Sequence, residues 1–451
     1  MKTSLRRFLA ASTASAVAVV GAMSMAPTGA SAAPAAATTV TNYAFQGWAY
    51  GTYANVGVAG VKSSPTAYSW LGCTRRTGIV RDRSVAGANV PNPSPVLKVG
   101  AVASRSRTYK AGKTVGMRST NRVASVRLGA ADGLNLSITG LSTTADARAV
   151  SGRFRTGASF SSVDIAANTG TPLDDILNQV GAGVGDLIKQ LQKATGNELT
   201  LPGLGVIRLG KTRQARYAHH AFANAVALNV TLFGLDGKAG GSDDVNVTIG
   251  RSFASISDDV PSGVMAGNAR VLEARVLNGV VTAGPISERS MPCEGTRGVV
   301  RKSATVGANL LNLNAIVAGV AQARVYGKQL SRGRAKAWTE ASLADIKLGL
   351  GNSTLQIKGV VARANVARSL KGKIAKSTAG SSVASITFGG KAYKVPAPSQ
   401  TLDIAGLAKI QTMVKSTTKS GITVTALRLT VLGEKTVVVN IGTAKASLRR
   451  T

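Results

Sequence analysis

The sequence has few of the residues on which most protein chemistry depends. Two His and two Cys in 451 residues exclude a Cys/His zinc cluster, paired haem ligands and a framework of several disulfides. Aromatic residues make up 4% of the chain, and only 20 Asp and Glu stand against 55 Lys and Arg. The hydrophobic fraction of 44% is nevertheless enough to fill a core. Abundant Ala, Val, Gly, Thr and Ser favour a β-rich extracellular protein over an enzyme packed around a ligand.

The first residues have the three parts of a secretory signal peptide. A positively charged start precedes an apolar stretch over 8–25, and Ala-Ser-Ala at 30–32 is a typical cleavage motif. We therefore predict that residues 1–32 are a signal peptide, cleaved between Ala32 and Ala33, and that the protein is exported.

Two further features bear on the route of export and on attachment to the cell. The Arg6-Arg7 pair resembles a twin-arginine signal imperfectly, so both export routes stay open. After residue 32, no segment has about 18 consecutive apolar residues, and 444–451 contains neither a hydrophobic tail nor a sorting motif. We expect no transmembrane span and no covalent anchor.

A set of short blocks occurs twice in the same order, and at the cysteines the second copy lies 220 residues after the first. Chance would not keep both the order and the spacing. We predict a linker over 33–42, repeat 1 over 43–257, a linker over 258–264 and repeat 2 over 265–451. The matched blocks are 65–73 with 285–293, 78–81 with 298–301, 87–89 with 307–309, 126–129 with 346–349, 136–140 with 355–359, 227–232 with 426–431 and 245–250 with 437–442.

The matched blocks alternate between apolar and polar residues with a period of two, as Val437, Val439 and Ile441 illustrate. This alternation predicts strands with one buried face, and the many β-branched residues support it. Gly-rich breaks at short intervals favour antiparallel sheets over βαβ units. The predicted fold class is mainly β, with two tandem homologous β-sandwich or barrel-like repeats.

One segment of repeat 1 has a helical pattern instead. Thr171 can cap a helix, Pro172 suits its first turn, and the apolar residues that follow recur at helical spacing. We predict a short helical insertion over about 172–193. It would cover an open end of the core or, alternatively, present a surface to a partner or a membrane.

Several segments together resemble a known family. They are 43–51 (YAFQGWAYG), 62–67 (KSSPTA), 71–74 (LGCT), 84–87 (SVAG) and 227–231 (ALNVT). On these segments, the chain resembles the choice-of-anchor P family of secreted proteins from high-GC Gram-positive bacteria. The resemblance implies export and a variable mode of surface attachment. It implies neither a molecular function nor any catalytic residue, and this chain has no recognisable anchor.

Cys73 and Cys293 occupy equivalent positions in the two copies. Export would expose both thiols to oxidising conditions, which favours a disulfide between the repeats. The alternative is that each cysteine is a small buried apolar residue in its own core. Nucleophilic catalysis is disfavoured because neither cysteine has a nearby His in the sequence.

Other motifs give no support for a catalytic, nucleotide or metal site. Residues 205–212 match the P-loop expression letter for letter, but the residues between its glycines are typical of a strand and no apolar helix follows. On a strand, His219 and His220 would point to opposite faces and could not chelate one ion together. The acidic pairs 243–244 and 258–259 lack the spacing of a calcium loop. We predict a non-enzyme without a metal or cofactor.

The net charge of +35 is the strongest functional indication. A surface this positive should attract polyanions. Because Trp48, Trp70 and Trp338 are scattered in the sequence, sequence-specific recognition of nucleic acid is not expected. The candidate polyanion-binding residues are Arg75, Arg76, Arg81, Arg83, Arg105, Arg107, Lys110, Lys113, Arg363, Arg368, Lys371 and Lys373.

These observations predict an extracellular, cell-wall-associated protein that acts in structure, adhesion or interaction. Anionic wall polymers or acidic polysaccharide would hold it by charge, and non-specific DNA binding is a further expectation from the same charge. The alternative function is a secreted hydrolase that acts on an acidic polysaccharide or wall polymer, since its two carboxylates could converge only in three dimensions.

Overall fold

The computed structural model describes most of the chain, with gaps. The predicted signal peptide over 1–32, the first half of the linker and the predicted helical insertion over 172–193 lie outside the described residues. The described ranges are 38–56, 61–62, 65–90, 96–129, 135–162, 164–168, 198–201, 205–233, 244–276, 282–283, 285–305, 308–310, 316–350, 353–404, 408–432 and 437–450.

The described residues form strands, turns and loops, and none of them is helical, so the predicted mainly β fold is confirmed. Within these ranges, no helix has the length and apolar character needed to cross a membrane. The first strands are β1 Val40–Val56, β2 Val61–Lys62, β3 Ser69–Arg76, β4 Val80–Val85, β5 Ala88–Val90, β6 Val96–Val99, β7 Val102–Ala111, β8 Thr114–Gly129, β9 Asn135–Val150, β10 Arg153–Ser161, β11 Asp164–Asn168, β12 Glu198–Leu201, β13 Gly205–Arg216, β14 His220–Leu232 and β15 Val245–Ser257.

The second half of the chain continues with strands of similar lengths. They are β16 Val264–Val276, β17 Thr282–Ala283, β18 Glu288–Ser290, β19 Arg301–Thr305, β20 Ala308–Leu310, β21 Ile316–Ala318, β22 Ala321–Gln329, β23 Ala335–Leu350, β24 Ser353–Arg368, β25 Ile374–Ser377, β26 Ser385–Phe388, β27 Lys391–Tyr393, β28 Thr401–Ile404, β29 Ala408–Thr417, β30 Gly421–Val431 and β31 Val437–Arg449.

The strands belong to three antiparallel sheets. The central sheet has 14 strands in the order β12-β13-β14-β15-β1-β2-β17-β16-β31-β30-β29-β28, with β3 on β1 and β18 on β16. The N-terminal flanking sheet has eight strands, β4 to β11, and the C-terminal flanking sheet has nine, β19 to β27. At the middle of the central sheet, the described residues of β2 and β17 form two residue pairs, Lys62 with Thr282 and Val61 with Ala283.

Each flanking sheet packs face to face on one half of the central sheet. Strands β8 and β9 lie against β14 and β15, and β23 and β24 lie against β30 and β31. Alternate side chains of each strand enter the shared core, for example Ile138 and Ile249 in the first half and Ile357 and Ile441 in the second. Burying one such side chain contributes about 1.5–3 kcal/mol, so alternation along many strands stabilises both cores.

Two glycines in matched blocks produce the same irregularity in the central sheet. In β15, the pairing with β1 runs from Ile249 to Arg251 and leaves out Gly250, whose φ is 62°. In β31, the pairing with β16 leaves out Gly442 in the same way, and its φ is 66°. This left-handed backbone conformation favours glycine, because a side chain would be strained there.

The cysteines are joined in the structure. Cys73 in β3 and Cys293 after β18 form a disulfide with a Cα–Cα distance of 5.4 Å, so the first of the two alternatives holds. The bridge is buried in a small apolar cluster with Ala44, Val260 and Val264. It connects the two halves of the molecule close to the linker between them.

Candidate functional site: a basic face and an aromatic strip

The outer side of the N-terminal flanking sheet is rich in arginine. Residues such as Val102, Ser104 and Met117 point into the core, so the alternate positions of the same strands face outward. We call six of the arginines at these outward positions the basic face. They are Arg105 and Arg107 of β7, Arg118 and Arg122 of β8, Arg148 of β9 and Arg155 of β10.

The strand register places some of these cations directly opposite each other. Arg107 is the cross-strand partner of Arg118, and Arg148 is the partner of Arg155. Like charges at such positions destabilise a sheet by up to about 1 kcal/mol per pair. This arrangement is therefore unfavourable for the isolated fold and favourable for binding an anion that neutralises it.

One buried carboxylate lies among the arginines. Asp146 of β9 accepts hydrogen bonds from Arg118 Nε at 2.8 Å and from Arg148 Nη1 at 3.3 Å. Tyr109 Oη also donates to it, at 3.0 Å from Oδ2. Burial and the negative charge of Asp146 raise the pKa of Tyr109 to about 12, so this phenol stays a donor at neutral pH. Asp146 thus holds two of the guanidinium groups in place and offsets part of their charge.

A shallow depression of about 600 Å³ lies at the edge of the basic face. Its floor is formed by neighbouring strands, and its one described acidic residue, Asp82, lies 3.4 Å from Arg105. Both partners of this ion pair are more than half exposed, so water screens it and it contributes little stability. The lining residues are Asp82, Arg83, Ser84, Ala103, Ser104, Arg105, Thr120 and Arg122.

The residues predicted to bind polyanions fall into two groups and one isolated member. The first group lies on β4, β7 and the turn after β7, beside or within the basic face, and comprises Arg81, Arg83, Arg105, Arg107, Lys110 and Lys113. The second lies around the ends of β3 and β24 and comprises Arg75, Arg76, Arg368, Lys371 and Lys373.

The second group includes guanidinium groups close enough to affect one another. Burial lowers the pKa of Arg75, and the charges of Arg450 and Arg368 lower it further. Arg75 Nε also donates to the carbonyl of Thr41 at 2.7 Å, and Arg368 Nη1 donates to the carbonyl of Ser262 at 2.7 Å. Backbone carbonyls therefore already hold both side chains.

Arg363 is separate from both groups. Its guanidinium lies 4.2 Å from the ring centroid of Trp338 and 3.2 Å from Glu340 Oε2. Arg324 contacts the same carboxylate at 3.4 Å, so this cation belongs to a local ion-pair and ring cluster on the C-terminal flanking sheet.

Four members of the basic face were not predicted from the sequence: Arg118, Arg122, Arg148 and Arg155. They are spread over three strands and form no dense cluster in the sequence. The alternation of the strands could have identified them, because each of these arginines lies at an outward position between inward-facing residues of its strand.

A cluster of aromatic rings was also not predicted from the sequence, because its members come from distant segments. Trp48 and Trp70, expected to be scattered, are register partners of β1 and β3. Buried alanines such as Ala49 and Ala254 occupy the inner side of the same strands, so the rings lie on the outer side of the central sheet. We call this cluster the aromatic strip, which comprises Trp48, Tyr50, Tyr53, Tyr68, Trp70, Phe222 and Phe253.

The rings of the aromatic strip contact each other in a row. Trp48 stacks on Tyr50 at 5.5 Å and on Phe253 at 5.4 Å between centroids, and Phe222 follows at 6.3 Å from Phe253. Arg251 lies over the ring of Trp48 at 5.0 Å. Such ring and cation contacts each contribute roughly 0.5–1.5 kcal/mol.

The tyrosines of the aromatic strip should make the protein sensitive to alkali. Burial, the neighbouring Tyr50 and the charge of Glu288 raise the pKa of Tyr53 to about 12, and burial with Tyr50 raises that of Tyr68 to about 12. Since the folded pKa exceeds the usual value of about 10, their contribution to stability is complete below pH 10 and is lost as the pH rises through about 12. In an absorbance titration, tyrosinate should appear at higher pH in folded than in urea-unfolded protein. Coincident titration curves would contradict the assignment.

The two histidines and the linker acids have structural roles. His219 Nδ1 lies 3.1 Å from Asp258 Oδ1, and Asp259 pairs with Arg297 at 3.3 Å. His220 stacks on Tyr217 at 4.3 Å, and burial lowers its pKa, as do nearby arginines. In the described part of the chain, no group of three or more His, Cys, Asp or Glu is placed to hold a metal ion. Residues 205–212, which match the P-loop expression, lie within strand β13.

Comparison with known proteins leaves the chain without an assigned relative. No protein-family model matches it, and no curated protein matches it. Among solved structures, the β domain of the Bordetella autotransporter Brka has 8% identity, covers 90% of this chain and 99% of its own, and has a TM-score of 0.11. The P. putida toluene transporter TodX has 8% identity, coverages of 91% and 90%, and a TM-score of 0.11. A lipopolysaccharide binding protein has 10% identity, coverages of 87% and 99%, and a TM-score of 0.09. Scores this low carry no argument about fold or function.

Proposed function

We propose that this protein is a non-enzymatic extracellular protein that binds anionic polymers through its basic face. The observation that carries this proposal is the set of six outward arginines on four adjacent strands, with Asp146 as the buried carboxylate among them. Cations spaced along neighbouring strands create a continuous positive surface, which raises the local concentration of a polyanion and orients it. Anionic wall polymers and acidic polysaccharides have the matching charge.

The wider architecture is part of the same proposal. We infer that the chain is an internal duplication with repeats over 43–257 and 265–451, joined by the linker over 258–264. The mirrored strand order of the central sheet supports this inference, as do Gly250 and Gly442, which interrupt the strand pairing at corresponding positions, and the bridge between corresponding cysteines. Export by the signal peptide, retention at the cell wall by charge and membership of the choice-of-anchor P family remain predictions from the sequence.

A hydrolase is the weaker proposal. Glycoside hydrolysis commonly uses two carboxyl groups about 5–10 Å apart. Asp82 is the only carboxylate among the residues that line the depression, and its partner there is Arg105. We therefore favour binding without catalysis.

The proposal is tested by removing charge from the basic face alone. In a variant with Arg105→Gln, Arg107→Gln and Arg122→Gln, affinity for immobilised polyphosphate should fall at least about tenfold at about 0.1 M salt, and the dependence of affinity on salt should become less steep. The three side chains face solvent, so the fold should survive. Duplex DNA as a second probe should lose affinity in parallel, since it is bound by charge alone.

The matched control removes three charges elsewhere. Lys409, Lys415 and Lys445 are exposed on the central sheet, and their replacement by Gln changes the net charge by the same amount. The affinity of this control variant for polyphosphate should stay within about twofold of that of the unmodified protein. Equal losses in the two variants would show that net charge, rather than the basic face, determines binding, and would overturn the proposal.

A further inference from the structure

Trp70 is the most exposed ring of the aromatic strip, and it lies flat on its own strand. Trp70 is 52% exposed, although large apolar side chains are usually covered. Gly72 lies beneath its indole: a Cβ at this position would be 2.7 Å from Cη2 and 2.9 Å from Cζ2 of Trp70. One face of the ring therefore rests on the strand backbone, and the other is available to a ligand. From this geometry, we infer that the outer side of the central sheet is a second binding surface, specific for an acidic polysaccharide chain.

The shape of this surface suits an extended chain. Successive cross-strand partners run from Trp70 to Trp48, Phe253, Asn224 and Arg213. With strands about 4.8 Å apart, these four steps span roughly 19 Å across the sheet. A flat row of this length is suited to a linear polymer, whereas a small molecule would need an enclosed pocket.

The chemistry of the surface matches that of a sugar ring. A pyranose has an apolar face of C–H groups and a rim of hydroxyl groups, so it can lie on an aromatic ring while its hydroxyls bond to amide and hydroxyl side chains. Asn224 is the register partner of Phe253, and Ser255 is that of Phe222, so both polar side chains lie beside rings of the strip. Asn224 Oδ1 accepts a hydrogen bond from Arg251 Nε at 3.2 Å and Ser255 Oγ donates one to the carbonyl of Gln46 at 3.3 Å, so the groups offered to a sugar are the amide N–H groups of Asn224 and the hydroxyl oxygen of Ser255 as an acceptor. The combination of flat apolar rings with a few convergent polar groups is typical of specific ligand surfaces.

Cations at one end of the row indicate that the sugar is acidic. Arg213 lies over the ring of Phe222 at 5.5 Å, and both Arg213 and Lys211 are exposed on β13. Guanidinium groups bind carboxylates in a bidentate manner, which fits a uronic acid.

The test uses Trp70→Ala with polygalacturonate as the probe, measured by calorimetry at about 1 M salt, where charge attraction across the basic face is screened. We expect the affinity to fall about tenfold, which corresponds to losing about 1.4 kcal/mol of binding energy. The matched control is Trp338→Ala, which removes a ring stacked on Tyr326 at 5.6 Å on the C-terminal flanking sheet and should change the affinity by less than about twofold.

Further arms separate this inference from its alternatives and from the basic face. Arg213→Gln should weaken binding of polygalacturonate and leave any binding of a neutral glucan unchanged. If the circular dichroism shows that Trp70→Ala alters the fold, Arg213→Gln still tests the surface. In the triple arginine variant of the basic face, Trp70→Ala should still lower the affinity for polygalacturonate. Unchanged affinity of Trp70→Ala and Arg213→Gln would overturn the inference, as would equal affinity for neutral glucan. Tighter binding of single-stranded DNA than of polygalacturonate, lost in Trp70→Ala, would identify a nucleic-acid surface instead.

Discussion

Replacing both cysteines by alanine, Cys73→Ala with Cys293→Ala, should lower the free energy of unfolding by about 3–5 kcal/mol. The disulfide joins residues 220 apart, so in the unfolded chain it removes much of the conformational freedom that folding would otherwise have to overcome. The side chains themselves are small, and the cavity left in the cluster with Ala44, Val260 and Val264 adds little. Urea unfolding of the two proteins without reductant measures the difference.

Protein kept reduced by excess reductant provides an independent comparison. It should unfold at a urea concentration close to that of the double alanine variant, because both lack the same crosslink. Among the described residues, the strand pairing between the two halves of the central sheet consists of two residue pairs of β2 and β17, so loss of the bridge should also speed proteolysis at the linker over 258–264. An unchanged unfolding midpoint in the variant would mean that the bridge does not stabilise the protein.

Replacing the buried carboxylate, Asp146→Asn, should have opposite effects on stability and on binding. Stability should fall by about 1–3 kcal/mol, since the charge-assisted hydrogen bonds from Arg118 and Arg148 are weakened. The loss stays below that for a fully buried ion pair because the side chains of both arginines are 37% and 40% exposed, so water compensates part of it. Affinity for polyphosphate should rise severalfold, because two guanidinium groups gain freedom to pair with the ligand.

Asp82→Asn is the matched control for Asp146→Asn. It removes the same charge from the same face, yet Asp82 is exposed and its pair with Arg105 contributes little. Its affinity for polyphosphate should therefore rise while its stability changes by less than about 0.5 kcal/mol. A fall in affinity for Asp146→Asn would contradict the expected gain, and would show that holding Arg118 and Arg148 in place matters more for binding than offsetting their charge.

The sequence predicted the strands well because their signal is local. In β31, the alternation of Val437, Val439 and Ile441 places apolar side chains on one side, and the folded strand buries Val439 and Ile441. The same reasoning identified residues 205–212 as strand in spite of their match to a nucleotide-binding expression. A period of two follows from the geometry of a single strand, so it needs no knowledge of the partners.

The candidate sites were predicted only in part, because they depend on which strands become neighbours. Arg105 and Arg107 were identified from their density in the sequence, whereas Arg148 and Arg155 joined them only through the register of β8, β9 and β10. Arg363 was selected on the same grounds, but it lies beside Glu340 and Trp338 on another sheet.

By itself, the sequence determined the β character of the chain and its excess of positive charge. Because the chain has two cysteines, it also determined that an intramolecular disulfide could join only Cys73 and Cys293. The tertiary structure alone decided that Trp48 lies between Trp70 and Phe253, and that Asp146 lies between two arginines. The physical reason is that alternation specifies only whether a side chain points inward or outward. Its neighbours are set by hydrogen-bonded register between strands far apart in the chain, and register depends on the packing of both sheets together.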